Sequence, residues 1–429
     1  MQYTQRLLVI GKVWPEPESS AAGWRMLQIL SAFQSLNYQI HFASAALKGA
    51  YSADLKSRGI VEDQIHLNDA SFDAYVRELQ PKIVLFDRFT SEEQYGWRIT
   101  EQLPETLQIL DTEDLHGLRE ARQRAFKEQR ELQPSDLQSP IALRELASIY
   151  RADLSLIISG FEKDLLTGQL HVPSQMLHYL PLLSATRGDS RAADWSTRQH
   201  FISIGNFLHA PNLDAVTYLN KEIWPLIRKA LPSAELHIYG AYTPEQVRQW
   251  HKPSNGFLVK DRAEDAALVM GQARVCLAPL RFGAGQKGKL LLAMECGTVS
   301  VTSSIGVEGM HQGLDWPGAI ADTPAEFAAS AVRLYSQEQD WQKAQTAIAR
   351  LLNHYAPQPH LDQFKYRLNE LLSQLGLHRA SNYTGALLRQ SAFQSTRYMS
   401  LWITAKNQIA APENNTKPNE EQGLTTKRD

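Results

Sequence analysis

Short apolar runs alternate with longer stretches of helical spacing through the first 180 residues or so. Arg6–Ile10, Ile40–Ser44, Lys82–Asp87, Leu107–Asp111, Asp153–Ser159 and Met176–Leu180 are compact and rich in Leu, Ile and Val. Runs this short, bounded by polar sequence, read as strands buried on both faces. Gly23–Leu36 places Met26, Leu27, Leu30 and Phe33 on one helical face. Glu113–Ile149 is charged and helical in pattern, with a break near Pro134–Pro140. Strand, helix, strand in series predicts βαβ units and a parallel sheet.

The pattern then stops and starts again. Thr186–Arg198 is polar and without period, as an interdomain linker is. Beyond it, His200–Ile204, Glu235–Tyr239, Gly256–Val259, Arg274–Ala278 and Val299–Ser303 read as strands, with Ala319–Ala321 a weaker one. Asn212–Ala230 reads as a helix with Pro211 just ahead of it. The expectation is an α/β fold of two domains, 1–185 and 199–375, joined by the linker 186–198. Helical sequence over 376–410 follows, and the polar stretch 411–429 reads as a disordered tail. In open parallel sheets ligands bind beyond the carboxyl ends of the strands, so the loops there are where chemistry is sought.

Composition narrows the picture without changing it. The chain has 429 residues, enough for two or three cores. A net charge of −2 gives no overall field toward nucleic acid or anionic membrane. Two cysteines, Cys276 and Cys296, exclude a disulfide framework and fit a reducing compartment. No apolar run approaches the roughly 18 residues of a membrane span, so a cytoplasmic protein is expected.

The richest stretch is Ala278–Met310, APLRFGAGQKGKLLLAMECGTVSVTSSIGVEGM. A buried strand ends near Pro279, Gly283-Ala284-Gly285 follows at once, and a helix is predicted from Gln286 to Glu295. A glycine-rich loop feeding a helix N-terminus offers free N–H groups and a favourable dipole to an anion. Arg281, Lys287 and Lys289 add full charges, and a diphosphate is the natural occupant. Two lysines at 287 and 289 on one helix face different ways, so one of them is expected in solvent.

This segment resembles the donor-site signature of retaining GT-B glycosyltransferases of group 1, at Pro279, Arg281, Gly283, Gly285, Lys287, Lys289, Met294, Gly297, Gly306 and Glu308 among others. The run IGNFLHAPNLDAVTYLNKEIWPLIRKALPSAELHIYG resembles the opening of the same family's donor domain. The resemblance implies two Rossmann-like domains facing a cleft, with C-terminal helices crossing back onto the first. It implies transfer, with retention, from a nucleoside-diphosphate sugar to a glycan or lipid-linked acceptor, with no metal and no further cofactor. It implies that Arg281 and Lys287 neutralise the diphosphate, and that Gly205, Gly283, Ala284, Gly285, Lys260 and Glu308 line the donor. One departure is plain: the family's ribose-binding Glu is Leu292 here, and Glu295, one helical turn on, is the neighbouring carboxylate.

The first domain offers two loops. Lys12–Arg25, KVWPEPESSAAGWR, follows the first strand, and the resemblance places it beside sugar and acceptor. Ser20 and Gly23 are candidates for close contacts and Arg25 for a phosphate, though either serine also suits a helix N-cap. Leu110–Arg119, LDTEDLHGLR, follows a strand, and the resemblance puts Asp114 and His116 on the acceptor side, His116 against the transferring sugar. One His among scattered acids lacks metal-ligand spacing. His209 reads as structural or surface, and Ser159 with Glu162 reads first as a capping box.

Alternatives of other classes remain. A GT-B epimerase shares the donor motifs. A degenerate relative that binds a nucleotide sugar or a protein without transfer draws support from Leu292. A dinucleotide oxidoreductase needs GxGxxG after the first strand, where this chain has GKVWPEPESSAAG. Lipid-linked acceptors in the family leave a peripheral membrane contact, at the inner face, open; the C-terminal apolar face is not basic enough to argue it.

Overall fold

The computed structural model describes residues 5–184 and 194–410. Its strands form two sheets, both wholly parallel. The first contains β1 (Gln5–Gly11), β2 (Tyr38–Ser44), β3 (Val61–Gln64), β4 (Ile83–Asp87), β5 (Leu107–Asp111), β6 (Leu154–Ile157) and β7 (Leu177–Tyr179), in the order β3-β2-β1-β4-β5-β6-β7. The second contains β8 (Gln199–Ile204), β9 (Leu236–Tyr239), β10 (Phe257–Val259), β11 (Ala273–Ala278), β12 (Val299–Thr302) and β13 (Gly318–Ile320), in the order β10-β9-β8-β11-β12-β13.

Parallel sheets need both faces covered, and β1 shows how the sequence achieves it. Leu8 and Ile10 join a cluster with Phe72, Val76 and Ile99, while Leu7 and Val9 join another with Phe33, Phe42 and Leu55. Successive side chains point to opposite faces, so an unbroken apolar run serves two layers at once. The second sheet does the same with Phe201, Ile227 and Phe257 in one cluster and Ile202, Met270 and Cys276 in the other.

Three elements depart from the sequence reading. β3, with the sequence VEDQ, carries no apolar signal; it pairs with the outer edge of β2, and Glu62 accepts the Leu55 N–H at 3.1 Å. The helix expected over 212–230 is three pieces: Ala210–Tyr218, a π turn over Leu219–Ile223, and Trp224–Ala230. Pro225 lacks the N–H that a continuous ladder needs, and the wider turn absorbs the mismatch. The return to the first domain begins at Pro357, not near 376. Along Pro357–Ser381, Phe364, Leu368 and Leu371 enter the cluster of Leu7 and Phe33, and the Phe364 and Phe33 rings meet edge-on at 5.5 Å. Helix Tyr383–Ala410 then lies over Arg88–Gln102 and Pro140–Arg151, with Arg98 donating to Ser400 Oγ at 3.2 Å. Most of the expected linker and the whole expected tail lie outside the described residues. Among the described residues no helix is long and apolar enough to cross a membrane.

Strand order reverses between β1 and β4 in the first sheet and between β8 and β11 in the second. These switch points leave crevices at the carboxyl ends of the strands. The two crevices face each other, and their loops enclose one cavity.

Candidate functional site

The cavity has a volume of about 930 Å³. Its first-domain wall includes the loop after β1 (Lys12 to Gly23), Asp87 and Arg88 after β4, and Glu113, Asp114, His116 and Arg119 after β5. Its second-domain wall includes Gly205 to Asn212 after β8, Tyr242 after β9, Arg262 after β10, and Leu280 to Glu295 after β11. Every wall segment follows a strand, as the switch-point geometry requires.

The glycine-rich loop is built as the sequence suggests, with a shift of two residues. The helix runs over Gly288–Glu295, and Lys287 is its N-cap, with φ −98° and ψ 92°. Because Lys287 stands outside the helix and Lys289 inside it, both reach the cavity, correcting the expectation that one is solvated. Lys287 Nζ donates to the Gly285 carbonyl at 2.6 Å. Lys289 Nζ donates to Asn212 Oδ1 at 2.7 Å. Burial holds both ammonium groups down to about 8, with Glu308 and Glu162 acting against it at Lys287. At pH 7 both groups still carry most of their charge, and two buried ammonium groups beside a helix N-terminus are an arrangement that can hold an anion. Gly205 leaves room for this pair: a β-carbon would stand 2.8 Å from Lys289 Nζ and 2.7 Å from Asn212 Cγ, and both side chains would have to shift. Gly285 has φ 65°, and a β-carbon there would stand 2.8 Å from Asp114 Cβ of the facing domain.

On the first-domain side, Asp114 is ion-paired with Arg119 and lies 3.4 Å from His116 Nε2. Burial raises this carboxyl, but Arg119 and His116 outweigh it and hold it at about 2. Burial drives the His116 imidazole down to about 3 despite Asp114, so it is neutral near pH 7. Glu113, in the left-handed region at φ 65°, is pushed up to about 8 by burial, with Asp111 adding to it. The cleft therefore holds an ionised carboxylate, a protonated carboxyl and a neutral imidazole side by side. Ser20 lines the cavity as the N-cap of helix Ala21–Ser35, accepting the Gly23 N–H at 3.0 Å. Gly23 lines it too, and a β-carbon there would collide with the Glu16 backbone.

Several predicted residues stand elsewhere. Arg25 is fully buried against Asp111, with its Nη2 at 2.7 Å from Oδ1, and a third bond to the Leu180 carbonyl completes its fork. It is a structural ion pair with no path to a phosphate. Arg281 turns away from the cavity to pair with Asp214 at 2.7 and 2.9 Å, its guanidinium between the Phe126 and Tyr218 rings. Lys260 is exposed and outside the lining, because β10 ends at Val259 and Arg262 takes the inward position. Glu308 does not line the cavity either; it forms a two-pronged pair with Arg122 at 2.7 Å, and Arg122 also donates to the Gly283 carbonyl at 2.8 Å. Glu162 makes no capping box, since Ser159 makes no cap bond; it accepts instead from Leu115 and Gly285. His209, expected as structural or surface, lines the cavity.

Sequence reasoning missed the mouth of the cleft. Tyr242 Oη donates to the Glu16 carboxylate at 3.0 Å, and Arg262 pairs with Glu18 at 3.2 Å. Both contacts join the loop after β1 to the second domain. Their only signal in the sequence was the placement of Glu16 and Glu18 in a post-strand loop. Leu292 and Glu295 both line the same wall, and burial raises the Glu295 carboxyl. Among the described residues no group of three or more His, Cys, Asp or Glu side chains is arranged to hold a metal ion.

The family described as Glycosyl transferases group 1 matches residues 198–337, a third of the chain that spans β8 to the helix after β13. No curated protein matches the chain. Many solved structures share the whole two-domain arrangement. Sucrose-phosphate synthase from Thermosynechococcus elongatus is 12% identical, with a TM-score of 0.66, over 86% of this chain and 100% of that one. Anabaena HepE in complex with UDP is 11% identical, with a TM-score of 0.63, over 85% and 100%. The pneumococcal O-GlcNAc transferase GtfA, with UDP and GlcNAc, is 11% identical, with a TM-score of 0.62, over 86% and 100%. At such identities the likeness shows the fold, which is GT-B: two Rossmann-like domains facing a cleft, with C-terminal helices crossing back.

Proposed function

We propose that the chain is a glycosyltransferase that takes a sugar from a nucleoside-diphosphate sugar and passes it to a glycan or lipid-linked acceptor. The observation that carries this reading is the anion site: two buried ammonium groups, a glycine-rich loop and a helix N-terminus converge on one wall of an interdomain cleft. That wall lies in the segment matched by the glycosyltransferase family. The similar HepE and GtfA structures hold UDP, so a UDP-sugar is the donor to try first.

In this reading the diphosphate lies against Lys287, Lys289 and the N–H groups of Gly288 and Lys289 in the first turn of the helix. These groups stabilise charge developing on the leaving diphosphate, which is preorganised electrostatic catalysis. The sugar then faces Asp114 and His116 across the cleft. The neutral His116 imidazole donates or accepts a hydrogen bond to a sugar hydroxyl without competing for the donor's charge. The acceptor enters from the loop after β1, past Ser20 and Gly23. We assign retention at the anomeric carbon, with an oxygen of the leaving diphosphate taking the acceptor's proton. The charge work is done by lysines and backbone dipoles, so the proposal needs no metal.

The test is a thermal-shift panel of nucleoside diphosphates and their sugar conjugates, followed by product analysis with the best donor. Stabilisation by one nucleoside diphosphate, and its release from the conjugate when acceptors are added, supports the reading. No stabilisation by any of them at millimolar concentration sinks it. Stabilisation without release, across a broad acceptor screen, favours the binding-protein alternative that Leu292 suggests.

A further inference from the structure

The glycine-rich loop belongs to the second domain by sequence, yet its hydrogen bonds go to the first. Glu162 stands near the end of the first domain, in the turn Gly160–Asp164, with its side chain fully buried. Its Oε1 accepts two backbone N–H groups, Leu115 at 2.9 Å and Gly285 at 2.8 Å. Leu115 immediately precedes His116, and Gly285 is two residues from Lys287. One oxygen thus fixes the spacing between the segment carrying Asp114 and His116 and the loop carrying Lys287. Arg122 supplies a second hook, holding the Gly283 carbonyl at 2.8 Å while Glu308 fixes its guanidinium.

Packing gives no reason for a carboxylate at position 162. Its Oε2 is buried with no hydrogen-bond partner, so what the carboxylate serves is the pair of N–H groups on Oε1, which an apolar side chain would leave unpaired. Burial pushes the carboxyl up to about 7, with Asp114 adding to it, as expected when only one oxygen is served. The loop needs outside support because Gly283 and Gly285 have φ 153° and 65°. Glycines at such angles have many other conformations open to them.

We propose that Glu162 is a positioning residue which, with Arg122, holds the glycine-rich loop in its anion-ready conformation from the opposite domain. The order of the donor loop then depends on closure of the cleft: when the domains part, Gly285 N–H and Gly283 C=O lose their partners together. This rests on the donor-site reading above, and its test separates the two.

The experiment is hydrogen exchange on the full chain, paired with calorimetric titration of UDP, for wild type, Glu162→Gln, Glu162→Ala and Arg122→Met. Glutamine keeps an oxygen at the Oε1 position, and its NH2 falls where Oε2 already lacks a partner. It should leave exchange and UDP affinity within about threefold of wild type. Alanine should speed exchange at 115–117 and at 283–286 together, and weaken UDP about tenfold. Arg122→Met, whose side chain reaches the surface, should speed 283–286 and leave 115–117 unchanged. The inference is overturned if Glu162→Ala affects only 115–117 and leaves UDP binding intact, or if glutamine is as damaging as alanine. Should Glu162→Ala fail to fold, unchanged exchange at 283–286 in Arg122→Met overturns it. If wild type binds no UDP, the donor reading falls, and the exchange comparison still decides whether the first domain holds the loop.

Discussion

Lys289→Met should make the empty protein more stable and the nucleotide-bound protein less so. The wild-type ammonium is held at about 8, against 10.5 unperturbed, because it is buried with only Asn212 as a partner. A shift of that size costs the folded state about 3 kcal/mol when both states are charged. The Asn212 hydrogen bond returns about 1–2 kcal/mol of it, so methionine should gain about 1–2 kcal/mol at pH 7. In a chain of 429 residues that raises the melting temperature by about 1–2 °C. The sign with pH follows from the folded pKa being the lower one. Between pH 8 and 10.5 the unfolded state binds more protons, so wild type gains stability as pH rises and the gap to methionine closes near pH 10. Below pH 8 both states hold the proton and the penalty is complete. Saturating UDP should reverse the order at pH 7, since a ligand at a hundred times its Kd adds about 2.7 kcal/mol, and methionine loses much of that. The assay is differential scanning fluorimetry from pH 6 to 10, with and without UDP. A methionine variant that melts below wild type without ligand, or that keeps the full UDP shift, refutes the reasoning.

Other expectations follow from the same geometry. Gly205→Val places carbon on Lys289 Nζ and Asn212, and calorimetry should show UDP affinity falling at least about tenfold while the protein stays folded. Arg281→Met breaks a pair outside the cavity, so UDP affinity should stay within about threefold while stability drops by about 1 kcal/mol, read by denaturant titration. His116→Ala should lower kcat by about ten- to a hundredfold, and because burial keeps the imidazole neutral, the wild-type rate should show no His116 titration between pH 5.5 and 8. Glu295→Ala should weaken UDP by about five- to a hundredfold if that carboxylate serves the ribose beside Leu292; an unchanged affinity would show that it does not.

The fold was legible because a parallel sheet writes itself in short apolar runs, and the strands with that signal lie close to where they were expected. β3 escaped because an edge strand paired on one side can be VEDQ. The donor wall was legible because Gly283, Gly285 and Lys287 are neighbours in sequence, so local geometry follows from local order. Arg25 and Arg281 were misjudged for a common reason. Each is a cation near a loop, but its partner, Asp111 or Asp214, is 86 or 67 residues away and reaches it only in the fold. Arg122, Glu162 and the Glu16–Tyr242 contact belong to the same class of long-range facts. Composition cannot tell a phosphate-binding arginine from one already neutralised.

The passage of Pro357–Ser381 back to the first domain bears on how the chain is made. Phe364 packs on Phe33 in the core that β1 opens, so that core waits for residues made 331 positions later (364 − 33). The second domain can be synthesised entire while the first still lacks one side of its core, inverting the usual N-terminal-first order. A chain cut at residue 356 would therefore injure the domain at its other end. It should leave the core of the second domain folded, loosen the glycine-rich loop that Glu162 and Arg122 hold from the first, and expose Phe33 and its neighbours to aggregation.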